Sequence, residues 1–483
     1  MTPGQMRPFP EDHRPDRRRR TRVGLVSGGL AAYCPQFPEL RPMLEVSNER
    51  VRQRLESAGA EVVSSHFVST PEEGIAAGDE LRRSDVDLVV IFLATYMTST
   101  MVVPIAQRCG APALLLDLAP TPSMDHPNTD TGRWLAYCGV CPLPEVANAF
   151  ERCDVPFRSI SGWLEDEGAW ARVETWVKAA RVRSALRNGR HGLMGHLYPG
   201  MLDTSTDLTL VHAHFGGHVE VLEFDDLRVR VEDADAAQVD RVLDDVHRMF
   251  ELDASVSQED LGWAARVAVG LDRLARDFRL DSLAYYHRGL RGEVHERLGA
   301  GMILGASLLT AAGVPACGEY ELRTSLAMLI LERLGAGGAF AEFQALNFSD
   351  GVVEMGHDGP SHLAISDARP ILRGLDRFHG KRGWGVSVEF DVRHGPVTLL
   401  SLTQRRNGAF RMVVAEGEVV GGPHLNIGNT TSRIDFGCDP GLFADAWAAA
   451  RPAHHWAIGV GHLYEELRAT ADLLGVELVR VQP

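Results

Sequence analysis

The sequence predicts an α/β protein in which two doubly wound parallel-sheet domains precede a mainly antiparallel β domain. The first observation is a regular alternation of strand and helix patterns that begins at Thr21. The second is a new αβ series from about residue 168, and the third is a change after Gly335 to strand-like runs separated by Gly, Asn and His turns. We therefore expect four segments: a disordered tail over 1–20, an N-terminal α/β domain over 21–167, a central α/β domain over 168–335 and a β-rich C-terminal domain over 336–483.

The N-terminal domain opens with a strand–helix–strand pattern. Strands are predicted over 22–26, 61–68, 88–94 and 113–116, and helices over 44–58, 71–82 and 100–108. The turn after the first strand reads Ser-Gly-Gly-Leu over 27–30, so the three spaced glycines of a dinucleotide-binding fingerprint are missing. A nicotinamide cofactor is therefore not expected.

The later elements follow the same logic. Helices are predicted over 168–187, 233–250, 258–277 and 320–334, with strands over 219–224 and 281–286. Beyond residue 335, strands are predicted over 386–392, 397–403 and 411–420, and a final helix over 461–474.

Composition excludes several classes of protein. The 483 residues carry 65 acidic and 49 basic side chains, a net charge of −16, which argues against a nucleic-acid-binding footprint. The longest apolar run, over 88–95, is far shorter than the roughly 20 residues of a membrane helix. Seven cysteines do not form a secreted disulfide framework. We expect a cytoplasmic protein that binds neither nucleic acid nor membranes.

An arginine-rich segment, 17–22, precedes a short apolar stretch and imitates the start of a signal peptide. Two glycines interrupt that stretch, and Tyr33 stands where a lipoprotein cleavage site requires a small residue. The favoured interpretation is a solvated, disordered tail, with export as the alternative.

Four short segments place charged residues and histidines in apolar or Gly-rich surroundings. They are 315–324, 341–344, 355–360 and 453–456. Together they offer two glutamates and two histidines, an oxygen and nitrogen ligand set that suits Mn²⁺, Co²⁺ or Zn²⁺ better than a thiolate site would.

These segments resemble the L-arabinose isomerase and L-fucose isomerase superfamily. The resemblance runs through Cys317-Gly-Glu319, Glu342, the strand over 351–360, the Ile-Gly-Asn-Thr-Thr-Ser-Arg run over 427–433, and His454-His455. The stretches over 195–203 and 33–37 are similar to the first two domains of that family. The ordered set of motifs covers most of the chain from about residue 22.

The resemblance implies an aldose-ketose isomerase for a free sugar, with a cis-enediol intermediate and a divalent metal, usually Mn²⁺. Glu319 and Glu342 would bind the metal and exchange the proton between C1 and C2, and His357 and His455 would complete the ligand set. Such chemistry needs a cation to polarise the sugar oxygens and carboxylates to move protons.

The resemblance also implies a homo-oligomer, a trimer or hexamer, in which the first domain of one protomer covers the site of the next. Tyr33, Gln36 and Tyr96 would then face a neighbouring site, in keeping with ligand binding at the carboxyl edge of an open α/β sheet. His454 is left to substrate contact because neighbours in an extended chain point to opposite faces.

Asn429 and Arg433 have two open interpretations. They could bind sugar hydroxyls, or Asn429 could cap a turn while Arg433 pairs with an acid. The chain also departs from the arabinose isomerases at Phe343 and Gln344, where they carry an acidic residue and an aromatic. After His357 it reads Asp-Gly-Pro-Ser-His, where they carry a more apolar run. Asp358 could orient a ligand histidine or form an Asx turn; the turn is favoured.

Structural alternatives apply to the other candidates. Glu319 and Glu321 could be first-turn acids of a helix that starts near Tyr320. The His-rich stretch over 211–218 is expected at a loop-to-strand junction, without a metal, and Cys138 and Cys141 are expected to be core or loop cysteines. At the level of function, the alternatives are a non-catalytic sugar-binding or sensor protein, and a metal-dependent epimerase or lyase.

Overall fold

The computed structural model describes residues 20–288, 294–375 and 384–482. Over these residues the chain divides into two compact units, 20–184 and 185–482. The predicted class is confirmed, because parallel sheets with flanking helices precede a region of antiparallel and mixed strands. The predicted disordered tail lies outside the described residues apart from Arg20, and the predicted domain boundaries stay predictions.

The first unit is a parallel sheet with helices. Its strands are β1 (Thr21–Gly28), β2 (Ala60–Val68), β3 (Leu88–Phe92), β4 (Ala113–Ala119) and β5 (Phe157–Trp163). Its helices are α1 (Tyr33–Gln36), α2 (Leu40–Ser57), α3 (Pro71–Arg83), α4 (Ser99–Cys109), α5 (Thr131–Leu135) and α6 (Leu143–Arg152), and α7 (Glu167–Asn188) ends in the second unit. The strand order β2-β1-β3-β4-β5 changes direction at β1 and β3, as in doubly wound sheets.

Local sequence explains these elements. Every residue of β3 is buried, as its uninterrupted apolar run predicts for a central parallel strand. Helix α3 begins with a capping box: the Thr70 side chain accepts the Glu73 N–H while the Glu73 carboxylate accepts the Thr70 N–H.

The second unit starts with another parallel sheet, in the order β10-β9-β6-β7. Its strands are β6 (Arg190–Gly195), β7 (His218–Leu222), β9 (Ser282–Tyr286) and β10 (Ala316–Cys317). The accompanying helices are α8 (Leu208–Phe215), α9 (Phe224–Glu232), α10 (Ala236–Met249), α11 (Gln258–Asp277), α12 (Val294–Ala311) and α13 (Leu322–Leu334).

A large, mainly antiparallel sheet follows in the same unit. Its strands are β11 (Ala339–Asn347), β12 (Val352–His357), β15 (Gly395–Gln404), β16 (Phe410–Val420), β17 (Thr430–Asp435), β18 (Trp456–Val460) and β19 (Glu477–Arg480). Because β15 pairs with both β18 and β16, the sheet closes on itself. A smaller sheet contains β8 (Glu251–Leu252), β13 (Ile371–Gly374) and β14 (Val386–Glu389), and the last helices are α14 (Pro440–Ala449) and α15 (Tyr464–Leu474).

One continuous apolar core runs through the second unit, from Met194 to Val481, and joins the helices of its parallel sheet to the closed sheet. The first unit has an apolar core of its own. Within the described residues, no helix has both the length and the apolar character needed to cross a bilayer.

One local prediction was wrong, and one helix start differs by two residues. His212 and His214 lie in α8 and not at a loop-to-strand junction, because the Asp207 side chain accepts the first amides of that helix. Helix α13 begins at Leu322, two residues after the predicted start at Tyr320. Glu319 and Tyr320 have φ values of +60° and +63°, which are incompatible with a right-handed helix.

Candidate active site

The register of the closed sheet brings Glu342, His357 and His455 together. Glu342 on β11 pairs with Gly356, the residue before His357 at the end of β12. On its other edge, β11 pairs with β18 as far as Trp456, the residue after His455. Three of the four predicted ligands, far apart in the sequence, therefore lie side by side.

Glu319 reaches the same point from the parallel sheet, where it follows β10. Its Oε2 lies 3.5 Å from His455 Nε2, and its Oε1 lies 3.9 Å from His357 Nε2. Glu342 Oε1 is also 3.9 Å from His357 Nε2, and the two imidazole Nε2 atoms are 3.2 Å apart. The structure thus brings all four predicted ligands to one place.

An aromatic ring supports the two histidines. Phe340 is buried, and its ring centroid lies 4.1 Å from that of His357 and 4.5 Å from that of His455. Since side chains two apart on a strand share a face, Phe340 and Glu342 both point toward the histidines. This packing restricts the rotation of both imidazoles.

A carboxylate lies behind each imidazole, that of Glu321 fully buried and that of Asp358 partly buried. His455 Nδ1 is 2.5 Å from Glu321 Oε2, and both side chains are fully buried. His357 Nδ1 is 2.9 Å from the Asp358 carbonyl oxygen and 3.0 Å from its Oδ1. Because these oxygens accept the Nδ1–H, the network assigns the lone pair of each neutral ring to Nε2.

The arrangement fits a divalent cation. Ligand atoms of Glu342, His357 and His455 lie within 4.8 Å of one another, as do those of Glu319, His454 and His455. Glu319 Oε2 is buried and has no hydrogen-bond partner among the described residues. Two imidazole nitrogens that face each other beside carboxylate oxygens form a donor set for Mn²⁺, Co²⁺ or Zn²⁺.

Both residues of the histidine pair reach the site. His454 lies at a bend just before β18, so the rule of opposite faces, which holds for an extended chain, does not apply to this pair. His454 Nε2 lies 3.2 Å from Glu342 Oε2, and the two rings are 4.3 Å apart between centroids. His454 remains 40% exposed, whereas His455 is fully buried.

The two carboxyl groups of the site titrate differently. Burial raises the pKa of Glu319, although the nearby histidines oppose the effect. Burial also acts to raise the pKa of Glu342, but the hydrogen bond from His454 and the other two histidines lower it overall. The pKa of Glu321 is lowered overall, because its hydrogen bonds to His455 and Arg323 outweigh complete burial.

A cavity of about 400 Å³ adjoins these residues. Glu319, Glu342, His357 and His454 contribute to its wall. The rest of the lining includes five rings and three charged side chains: Tyr198, Phe224, Tyr285, Tyr286, His287, Arg288, Glu296 and Asp358. A space of this size with a few polar groups on one wall is suited to a small polar ligand.

Other predicted substrate contacts lie elsewhere. Arg433 Nη2 is 2.5 Å from Asp350 Oδ2, and its Nη1 is 3.4 Å from Glu354 Oε1. Asn429 is buried, and its Oδ1 has no hydrogen-bond partner among the described residues. Neither residue is among the described residues that line the cavity. Their role in substrate binding stays a prediction.

Tyr33, Gln36 and Tyr96 belong to the first unit. Tyr33 and Gln36 lie on α1 after β1, and Tyr96 follows β3, the strand beside β1. The carbonyl of Tyr96 accepts the N–H of Leu30 at 3.2 Å, which ties the two segments together. Their predicted contact with a neighbouring protomer's site stays a prediction.

Sequence reasoning gave no catalytic or metal-binding role to Glu321, Asp203 or the aromatic lining. Glu321 is the N-cap residue of α13, yet its side chain caps no amide and binds His455 instead. Asp203 Oδ2 accepts the backbone N–H of His454 at 2.7 Å. The signal in the sequence that could have identified Glu321 is an acidic residue in an apolar segment, two positions after Glu319.

The other candidate clusters look different. Cys138 and Cys141 lie in the first unit with their sulfur atoms 3.2 Å apart. Within the described part of the chain, neither these cysteines nor the histidines over 212–218 belong to a group of three or more potential metal ligands.

Comparisons with solved structures gave weak matches. A solute-binding protein from Actinobacillus succinogenes with bound D-allose has 10% identity and a TM-score of 0.17, over 65% of this chain and 91% of that one. One from Agrobacterium vitis with bound α-D-tagatopyranose has 14% identity and a TM-score of 0.15, over 62% and 92%. TM-scores this low do not establish a common fold.

Sequence comparisons were more specific, although no family model matches the chain. An L-arabinose isomerase from Nocardioides sp. is 25% identical over 352 residues, 70% of this chain and 68% of that protein. One from Tolumonas auensis is 23% identical over 348 residues, 68% of each chain, and L-arabinose isomerase 1 from Bacillus licheniformis is 22% identical over 338 residues, 68% and 67%. The chain is a divergent relative of the L-arabinose isomerases.

Proposed function

We propose that this protein is an aldose-ketose isomerase that acts on a free sugar and requires a divalent metal ion, with Mn²⁺ as the first choice. The relationship to the L-arabinose isomerases supports a sugar isomerase enzyme. The observation that carries the metal requirement is the convergence of Glu319, Glu342 and the Nε2 atoms of His357 and His455 beside the cavity.

The four side chains would hold the ion, and when bound it would polarise the C1 and C2 oxygens of the sugar. One carboxylate of the Glu319 and Glu342 pair removes the proton from C2 of the aldose and returns it to C1 of the cis-enediol. The other moves the hydroxyl proton from O2 to O1. General acid-base catalysis of this kind contributes about 10²–10⁴-fold to a rate.

The remaining cavity residues would hold the sugar. His454 is hydrogen-bonded to Glu342 and partly exposed, so its ring is available to a substrate hydroxyl. Tyr198, Phe224 and Tyr286 present ring faces and edges to the cavity, which suit the C–H surfaces of a sugar.

L-arabinose itself is not assigned as the substrate. Phe343, one of the departures from the arabinose isomerases, packs its ring 4.9 Å from that of Trp456. Gln344 donates its side-chain N–H to the Thr430 carbonyl at 3.1 Å. Both side chains are used for packing and strand contacts. The substrate is therefore to be identified with a panel of sugars.

The test is proton NMR in D₂O with metal-stripped protein, a panel of aldoses and ketoses, and either Mn²⁺ or EDTA. We expect one sugar to convert only with Mn²⁺ and to gain deuterium at the exchanging carbon. Glu319→Gln should lower turnover at least about 100-fold. Glu332→Gln, which changes a carboxylate bonded to His362 outside the ligand set, should not.

Other outcomes contradict specific parts of the proposal. Conversion in EDTA would exclude the metal requirement, and conversion without deuterium would indicate a hydride shift between C1 and C2. Sugar binding without conversion would favour a binding or sensor protein, and a different product would favour an epimerase or lyase.

We also propose a cytoplasmic homo-oligomer, a trimer or hexamer, in which Tyr33, Gln36 and Tyr96 cover a neighbouring protomer's site. The resemblance to the isomerase superfamily supports this assembly. Light scattering should then give a mass of three or six times 52.9 kDa, and a monomeric mass at micromolar concentration would contradict it.

A further inference from the structure

Two carboxylates that are not expected to be metal ligands contact the two ligand histidines from behind. Glu321 Oε2 is 2.5 Å from His455 Nδ1, and neither side chain is exposed. Asp358 Oδ1 is 3.0 Å from His357 Nδ1, and the Asp358 carbonyl lies at 2.9 Å from the same nitrogen. Each imidazole therefore has an oxygen acceptor on the side away from the cation position.

These acceptors determine which nitrogen faces the site. A neutral imidazole carries one N–H and one lone pair, and only the lone pair can bind a metal. When Nδ1–H is donated to a carboxylate, the lone pair is on Nε2. The two Nε2 atoms are 3.2 Å apart, so both lone pairs converge on the same point.

We propose that Glu321 and Asp358 are positioning residues, which fix the tautomer and ring orientation of His455 and His357 for metal binding. The inference rests on the proposed metal-dependent function and adds a role that the four-ligand set does not contain.

Glu321 is itself held in place. Arg323 Nη2 lies 3.3 Å from Glu321 Oε1, and the same guanidinium donates to the carbonyl of Asp203. The Asp203 carboxylate in turn accepts the N–H of His454 at 2.7 Å. The orientation of Glu321 is thus linked through charged hydrogen bonds to the segment that carries His455.

Residue substitutions in the full chain can separate positioning from packing. Glu321→Ala removes the acceptor of His455, and Asp358→Ala removes the carboxylate beside His357 but keeps the main-chain carbonyl at 2.9 Å. Glu321→Gln and Asp358→Asn keep a side-chain acceptor oxygen without the charge. The matched control is Glu332→Ala: Glu332 Oε2 is 2.9 Å from His362 Nε2, the same kind of bond, but His362 is outside the ligand set.

The first measurement is Mn²⁺ binding to metal-stripped protein, from the electron paramagnetic resonance signal of free Mn²⁺. We expect the two Ala variants to bind about 10–100-fold more weakly than the wild-type chain. The Gln and Asn variants should recover part of that loss, and Glu332→Ala should bind as the wild type does.

The second measurement is the ¹⁵N chemical shift of the imidazole nitrogens in the metal-free protein, which reports the tautomer. We expect His455 to lose the Nε2 lone-pair tautomer in Glu321→Ala, a change that simple loss of packing would not produce. His357 should keep its tautomer in Asp358→Ala, because the main-chain carbonyl of residue 358 still accepts the Nδ1–H. Because Glu321→Ala leaves buried Arg323 without its carboxylate, Glu321→Gln and the Mn²⁺ affinity of Asp358→Ala carry the test if that variant does not fold.

Unchanged Mn²⁺ affinity in the folded Ala variants, or in Glu321→Gln and Asp358→Ala if Glu321→Ala does not fold, would overturn the inference while leaving the metal site intact. An unchanged His455 tautomer in folded Glu321→Ala would overturn it as well. If the wild-type chain binds no Mn²⁺, the proposed function fails and takes this inference with it. The two failures are therefore distinguishable.

Discussion

His191 is a buried imidazole in the second unit that does not belong to the candidate site. It lies on β6 with 1% of its surface exposed. Its Nδ1 is 3.1 Å from Ser282 Oγ, and its Nε2 is 3.4 Å from the Leu186 carbonyl. Burial lowers the pKa of His191, because a charged ring would lose its hydration.

This environment predicts acid sensitivity. Asp281 acts to raise the pKa of His191, while Arg333 and His218 add to the lowering by burial. The unfolded ring titrates near 6.5, so its contribution to stability is present above that pH. It is lost as the pH falls below 6.5, by at most about 1.4 kcal/mol per pH unit. Urea unfolding of the wild type and His191→Gln at pH 7.5 and 5.5 should show a smaller loss in the variant.

The matched control is His247→Gln, which changes an exposed histidine on α10. Its pH dependence should follow that of the wild type. Equal losses of stability on acidification in all three proteins would contradict the assignment to His191.

At the scale of elements, β12, the strand that ends at His357, lies very close to its neighbour β17 at Gly356. Gly356 lies between β11 and β17, and a Cβ atom at this position would be 1.8 Å from the Thr430 carbonyl oxygen. That backbone contact has no flexible side chain that could move aside. Any larger residue at position 356 must separate the two strands.

We therefore expect Gly356→Ala to lower the free energy of unfolding by about 1–3 kcal/mol and to weaken Mn²⁺ binding through the displacement of His357. Gly262→Ala is the control, because a Cβ atom there meets nothing within 4 Å on helix α11. It should be neutral or stabilise by up to about 1 kcal/mol. Chemical unfolding and Mn²⁺ titration of both variants give the comparison, and equal effects would contradict the strand-contact argument.

Several helices with a clear hydrophobic pattern could be predicted from the sequence, although the amphipathic helix α6 was missed. A helix that is buried on nearly all sides could not be predicted. The helix predicted over 258–277 was confirmed as α11, but α12 was missed. Helix α12 is buried on almost all sides, so no amphipathic period marks it. Gly301 and Gly305 also weaken its helical signal, yet they allow α12 to approach Trp263 and Ala268 of α11 closely.

The site illustrates the same limit. Residue types and family resemblance were enough to select Glu319, Glu342, His357 and His455, which the structure brings together. They did not reveal Glu321, because a buried acid and a solvated first-turn acid look alike in a sequence. Burial and tautomer depend on contacts between residues more than 100 positions apart, and local patterns carry no information about these contacts.

At the scale of the whole molecule, the candidate metal site lies entirely within the second unit. The four ligands, Glu321, Asp358 and the cavity all belong to residues 185–482. A ligand that binds only the native form of a unit stabilises it by mass action, by about 2.7 kcal/mol at one hundred times the dissociation constant. Mn²⁺ should therefore make the unfolding of the second unit less favourable before it affects the first unit.

Hydrogen exchange followed by mass spectrometry can locate that effect. In Mn²⁺ compared with EDTA, we expect slower exchange in peptides from β11, β12, β18 and the start of α13, because the ligands on these elements become linked. Peptides from the sheet β1 to β5 should exchange at the same rate in both conditions. Protection confined to residues 20–184 would contradict the assigned site. If the double variant Glu319→Gln, His455→Ala still shows protection of β11 and β12 in Mn²⁺, the ion binds elsewhere in the unit.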